Sequence, residues 1–174
     1  MTEVGSTTAA ETSPRPVSPA VMREVLGHFV SGIVVITAIS PDGPLGFTCQ
    51  SFASLSLDPP LVSFAAGRIS RTWPRIRAIG SFCVNVLAED HQHYSVQFAR
   101  PGVVDKYAGV QWRPAPFSGA PILDGVTAWV DCTLWREYDG GDHTIVVGHV
   151  QDLSAEPGRP PLLYYRGRYG RTSS

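Results

Sequence analysis

Residues 46–60 read GFTCQSFASLSLDPP, a stretch that alternates like a β-strand yet is crowded with hydroxyl and amide groups before two prolines stop it. Taken by twos, Phe47, Cys49, Ala53, Leu55 and Leu57 fall on one face with Ser51 as its polar member. Thr48, Gln50, Ser54 and Ser56 share the other face with Phe52. The first face suits a core, and the second suits water or a polar ligand. Taken alone, the stretch predicts a half-exposed strand of an antiparallel sheet.

Further β-type runs surround it: IVVITAI (33–39), LVSFAA (61–66), SFCVNVL (81–87), VTAWVDCTLWREY (126–138) and HTIVVGHVQDL (143–153). With residues 46–56 these make six strands separated by turn signals, so the sequence predicts a mainly β barrel or sandwich. SPDGP (40–44) and YDGGDH (138–143) have hairpin-turn composition, because Gly accepts positive φ and Asp bonds its own backbone. Helices are expected at SPAVMREVLGHF, with Ser18 as N-cap and Pro19 in the first turn, at 70–79 and at 89–98.

The chain has 174 residues, 43% of them hydrophobic, which suits one domain of ordinary size. Its formal net charge is −1, and its basic residues are 13 arginines and the single Lys106, scattered along the chain. That excludes the basic face a nucleic-acid-binding protein needs, while leaving local Arg–phosphate pairing open. Cys49, Cys83 and Cys132 lie in apolar runs and are odd in number, as expected of buried free thiols in a reducing compartment. Residues 1–18 are too poor in large apolar groups to offset ordering and are expected to form a flexible arm ahead of a folded domain at 19–174. They carry neither the basic nor the apolar region of a secretory leader. Apolar stretches are too short for a bilayer, so a soluble, cytoplasmic protein with no membrane partner is expected.

One segment has chemical promise. In AAGRISRTWPRIRAIGSF (65–82) the small residues Ala65, Ala66 and Gly67 end a strand, and Ser70 opens a helix with Arg71 and Thr72 in its first turn. Such a start, with free N–H groups, two hydroxyls and a guanidinium, suits phosphate. The plain alternative is an N-cap serine beside a solvated arginine. His91 and His93 diverge at i, i+2 on a helix and have no third ligand nearby, so no metal is expected. The four tryptophans are expected in the core. His143, after Gly-Gly-Asp, reads on its own as a strand-opening histidine.

The order of these pieces resembles the flavin reductase family that serves two-component flavin monooxygenases. The match runs through VLGHFVSGIVVITA, GFTCQSFASLSLDPPLVSFAA, SRTWPRI, FCVNVL, FARPGVVDKYAGVQW, GGDHTIVVGHV and LLYYRGRY, over about residues 20–170. The resemblance implies a six-stranded antiparallel split β-barrel of Greek-key character, a homodimer, binding FMN or FAD near the subunit interface. It places Thr48, Cys49, Gln50, Ser51, Ser54, Ser56 and Leu57 around the isoalloxazine. Ala65, Ala66, Ser70, Arg71 and Thr72 fall on the phosphate side, with Phe98, Ala99, Arg100 and Lys106 closing over the ligand. His143, the catalytic candidate, is set near the nicotinamide, with Tyr169 a second residue for that pocket. The implied activity is NAD(P)H:flavin oxidoreduction, with NADH ahead of NADPH, supplying reduced flavin to a partner monooxygenase. The rivals are a non-catalytic flavin-binding protein and a pyridoxine-phosphate-oxidase-like enzyme. The absence of a GxGxxG fingerprint excludes a Rossmann domain for the dinucleotide.

Overall fold

In the computed structural model, which describes residues 16–103 and 105–172, the chain begins with helix α1 (Pro19–Leu26). Ser18 Oγ accepts the Val21 N–H at 3.3 Å, and Pro19 occupies the first turn, as the sequence predicts. Most of the expected arm, residues 1–15, lies outside the described residues. The chain continues through β1 (Ser31–Gly32), β2 (Val34–Ser40), β3 (Gly43–Cys49), β4 (Ala53–Leu57), β5 (Pro60–Gly67), α2 (Trp73–Ile79), β6 (Ser81–Val86) and α3 (Gln92–Ala99). It ends with β7 (Trp112–Pro114), β8 (Pro121–Leu123), β9 (Ala128–Gly140), β10 (His143–Ala155), β11 (Leu163–Tyr165) and β12 (Arg168–Gly170).

The mainly β expectation holds, with one strand more than the expected six in the main sheet. The main sheet has seven antiparallel strands in the order β3-β2-β6-β9-β10-β5-β4 and does not close. The added strand comes from 46–56, which breaks at Gln50–Phe52 into β3 and β4. The cause is a side chain: Ser51 Oγ accepts the Ala65 N–H at 2.8 Å, drawing the chain across to β5, with which β4 then pairs.

Both faces of the sheet are covered, which is why β2 reads as a continuous apolar run. Val34, Ile36 and Ala38 pack with Phe64, Phe82 and the α2 residues Trp73 and Ile76. Ile33 and Val35 face the opposite way, toward Phe98, Ile122, Leu123 and Trp129. Asn85 pins β8 to this second face, its amide donating to Pro121 O at 3.1 Å while its carbonyl accepts the Leu123 N–H at 2.8 Å. Two tryptophans depart from expectation: Trp73 and Trp129 are buried, whereas Trp112 and Trp135 are partly exposed. The three cysteines are buried and free.

Glycine is required at two positions in this framework. Gly141, at φ 76°, makes the tight turn that delivers His143 to the start of β10. Gly46 lets α3 lie against β3, since a Cβ there would come within 2.7 Å of the Phe98 ring. Among the described residues, no helix is long and apolar enough to cross a membrane.

Candidate functional site

The end of β3, the loop before α2 and the chain leaving α3 enclose a cavity of about 790 Å³. It gathers Thr48, Ser70, Arg71, Thr72, Phe98, Ala99 and Lys106 from the sequence-based set. Thr48 is fixed by its hydroxyl, which donates to the Ser95 carbonyl at 2.7 Å. Lys106 Nζ donates to Phe98 O at 2.7 Å and Gly46 O at 3.3 Å. Among the described residues no carboxylate lies within ion-pair distance of it. Burial lowers its pKa from the usual lysine value.

Here the expected helix start is corrected. Helix α2 begins at Trp73, so Arg71 and Thr72 precede it, and Ser70 Oγ already accepts the N–H groups of Thr72 (3.3 Å) and Trp73 (3.1 Å). The positive charge of the cavity therefore comes from side chains. Arg71, Arg75 and Lys106 line the cavity with no carboxylate among the lining residues. The helix itself is anchored to β9, with Trp73 Nε1 donating to Glu137 Oε1 at 3.0 Å and Arg77 paired with the same carboxylate at 2.6 Å.

Sequence reasoning missed Phe47, Ile69, Arg75, Pro101, Gly102 and Val103 in this lining. Arg75 had a readable signal, its spacing of four from Arg71. The turn at 101–103 had one in its Pro-Gly pair.

A second cleft of about 730 Å³ brings Gln50 together with His143, Asp142, Arg23, Arg166 and the apolar side chains Met22, Leu26 and Phe29. His143 pairs with Gly67 across the β10–β5 ladder, and its Nδ1 lies 2.7 Å from Asp142 Oδ1. That hydrogen bond holds the Asp142 carboxyl below the usual carboxylate range. The strand end 47–50 thus lines both clefts, Phe47 and Thr48 in one and Gln50 in the other.

The other expected residues lie elsewhere. Ala66 is buried in the core, and Cys49 is buried with its Sγ toward Ser51 and the Ala65 carbonyl; burial raises its pKa. Ser51 and Ala65 are hydrogen-bonded to each other. Ser54, Ser56 and Leu57 belong to β4, outside both linings, because β4 pairs with β5 instead of continuing β3. Arg100 lines a different cleft, with Arg171 and His93. Tyr169 is drawn off by Ser95, whose Oγ lies 3.0 Å from its hydroxyl. Among the described residues, no group of three His, Cys, Asp or Glu side chains is arranged to hold a metal. His91 is buried, with Nδ1 facing the Ala88 N–H at 3.4 Å.

A cation-lined cavity and a histidine-bearing cleft thus adjoin one strand end of this mainly β protein. The chain belongs to the flavin reductase like domain family, whose model matches residues 26–173. It is 50% identical over 155 residues to the reductase subunit HsaB of a flavin-dependent monooxygenase from Mycobacterium tuberculosis, covering 88% of this chain and 82% of that one. A flavin reductase from Pseudomonas putida is 42% identical over 163 residues, covering 93% and 95% of the two chains. Among solved structures, the NADH:FAD oxidoreductase SgcE6 of Streptomyces globisporus, in complex with NAD and FAD fragments, is similar with a TM-score of 0.85 and 35% identity. That match covers 92% of this chain and 98% of that one.

Proposed function

We propose that this chain is an NAD(P)H:flavin oxidoreductase that takes up FMN or FAD, reduces it with NADH and passes the reduced flavin to a separate monooxygenase. The observation that carries this reading is the strand end 47–50, which lines a cavity suited to phosphate on one side and the His143 cleft on the other. The names of the relatives support it: one is the reductase subunit of a flavin-dependent monooxygenase, and another an NADH:FAD oxidoreductase.

The lining fits a phosphorylated flavin, since it joins hydroxyls and guanidinium groups to the partly buried Phe47 with no carboxylate in the lining. When bound, flavin supplies the redox chemistry by accepting hydride from the nicotinamide, so the chain needs no nucleophile of its own. Its residues bind and orient. Arg71, Thr72 and Lys106 hold the phosphate end, Thr48 and Gln50 set the edge of the ring, and His143, steadied by Asp142, places the nicotinamide.

We read the open sheet as a split barrel, on the strength of the Ser51–Ala65 hydrogen bond that brings the end of β3 to β5. We also read the protein as a homodimer. No residue of α1 is buried, and its apolar side chains, with Phe29 81% exposed just beyond, leave a face of the kind that marks a protein interface. A second copy covers it in this reading, and sedimentation at micromolar concentration showing a single-chain mass would refute that. The buried free thiols support a reducing, cytoplasmic location.

The deciding experiment measures NADH oxidation with and without added flavin. Steady turnover that needs flavin supports the reductase. Flavin binding without turnover would leave a flavin store, and oxidation of pyridoxine phosphate would move the chain to the vitamin-oxidase rival.

A further inference from the structure

Arg75 is the cavity cation that a single phosphate does not require. It reaches the cavity from inside α2, and its own N–H donates to the Thr72 carbonyl at 3.1 Å, so it stands beyond the Ser70–Thr72 segment. Among the described residues it meets one carboxylate within ion-pair distance, Asp42 of the β2–β3 turn, at 3.8 Å. Both side chains are more than half exposed, at 52% and 87%. An exposed pair of that length is weak and leaves the guanidinium free to swing toward a stronger anion.

A single phosphate ester is served by the groups already in place: the Arg71 fork, the Thr72 hydroxyl and the field of Lys106. A diphosphate carries its charge on two groups, and the second needs its own fork, displaced along the cavity wall. Arg75 enters the lining from α2 whereas Arg71 lies on the loop before it, and a guanidinium is the side chain best matched to phosphate oxygens. The lining itself holds no carboxylate, and Asp42, the partner Arg75 would leave, is 87% exposed, where water and salt screen its charge.

We infer that Arg75 is a specificity-determining residue that favours a flavin carrying a diphosphate, FAD, over one carrying a single phosphate, FMN. The inference rests on the proposed flavin-reductase function.

The test uses the full chain, its Arg75→Gln and Arg75→Lys variants, and flavin fluorescence titrations with FAD, FMN and riboflavin at one fixed ionic strength. The expected result is a wild type that binds FAD several-fold more tightly than FMN. Arg75→Gln should raise the FAD Kd about tenfold while FMN and riboflavin change less than about twofold, with Arg75→Lys recovering part of the loss. ADP should compete for FAD in the wild type and less well in Arg75→Gln. Equal losses for FAD and FMN, or no loss for FAD, would overturn the inference, as would a wild type that takes both flavins equally. If the wild type binds none of the three flavins, the flavin-reductase proposal itself fails. Arg75 is exposed, so the variants should fold, and matching melting curves check that they do.

Discussion

The Thr48 hydroxyl donates to the Ser95 carbonyl at 2.7 Å, so a residue at the cavity edge of β3 is tied to the middle of α3. Ser95 in turn holds the Tyr169 hydroxyl at 3.0 Å, joining three distant segments at one buried serine. Thr48→Val keeps the side-chain shape and removes the donor, so unfolding in urea should show a loss of about 0.5–1.5 kcal/mol. Tyr169→Phe should cost no more and leave flavin affinity unchanged, because its hydroxyl serves Ser95. A several-fold rise in flavin Kd for Tyr169→Phe would put Tyr169 back in the ligand site.

Arg71 lines the cavity and has no ion-pair partner among the described residues. Arg71→Ala should weaken binding of FMN and FAD by about 1–3 kcal/mol through loss of a charge-assisted phosphate bond. Riboflavin should be much less affected. Equal losses for FMN and riboflavin, measured by the same titration, would show that Arg71 does not see the phosphate.

The succession of strands is legible in the sequence because hydrophobic periodicity and turn composition are local. Ser18, Pro19 and the Gly141–Asp142 turn act where the sequence puts them. The split of 46–56 is not legible, since it depends on Ser51 finding the Ala65 N–H fourteen residues away. The same long-range event displaces Ser54, Ser56 and Leu57. Treating 46–56 as one strand sets them beside Thr48, whereas β4 belongs to the opposite edge of the sheet. Resemblance assigns Thr48, Arg71 and Lys106 to a common ligand, and the structure lines one cavity with them. Arg75 carries a signal in its spacing of four from Arg71, but its meeting with the turn at 101–103 in one lining is a long-range event that the spacing does not show.

Lys106 gives a pH test with a defined sign. Burial lowers its pKa below 10.5, so its burial costs stability while it is charged. That cost is relieved as alkaline pH rises through the lowered value, where the folded state releases the proton first. A bound phosphate pulls the other way, favouring the cation. The adjacent Asp105 carboxylate, which accepts the Tyr107 N–H at 2.8 Å, is present with either flavin, so the difference between FMN and riboflavin isolates the phosphate. FMN affinity should therefore fall with rising pH at values below 10.5, relative to riboflavin, which shares the ring ionisation but lacks the phosphate. Lys106→Met should bind FMN more weakly at neutral pH and lose the difference in pH profile. Parallel FMN and riboflavin profiles in the wild type would exclude Lys106 from the phosphate site.

His143 stands at the first position of β10, opposite Gly67, in the cleft that also holds Gln50. Its Nδ1 is engaged by Asp142 at 2.7 Å, which turns the imidazole into a fixed surface for a ligand in that cleft. If the nicotinamide packs on or bonds to that surface, His143→Ala should misplace it relative to the flavin, and a small displacement in such a transfer can cost about a hundredfold in rate. Flavin affinity should barely change. Stopped-flow reduction of flavin at saturating NADH then slows if orientation is lost, whereas the KM for NADH rises if ground-state binding is lost. Asp142→Asn keeps the hydrogen-bonding shape and removes the charge, so it should show a smaller effect of the same kind. Collapse of flavin binding with a normal reduction rate in the remaining complex would assign His143 to the flavin site or to the fold. No change in either quantity would leave it as the residue that opens β10, and Arg166, in the same cleft at φ 48°, would be the next to replace.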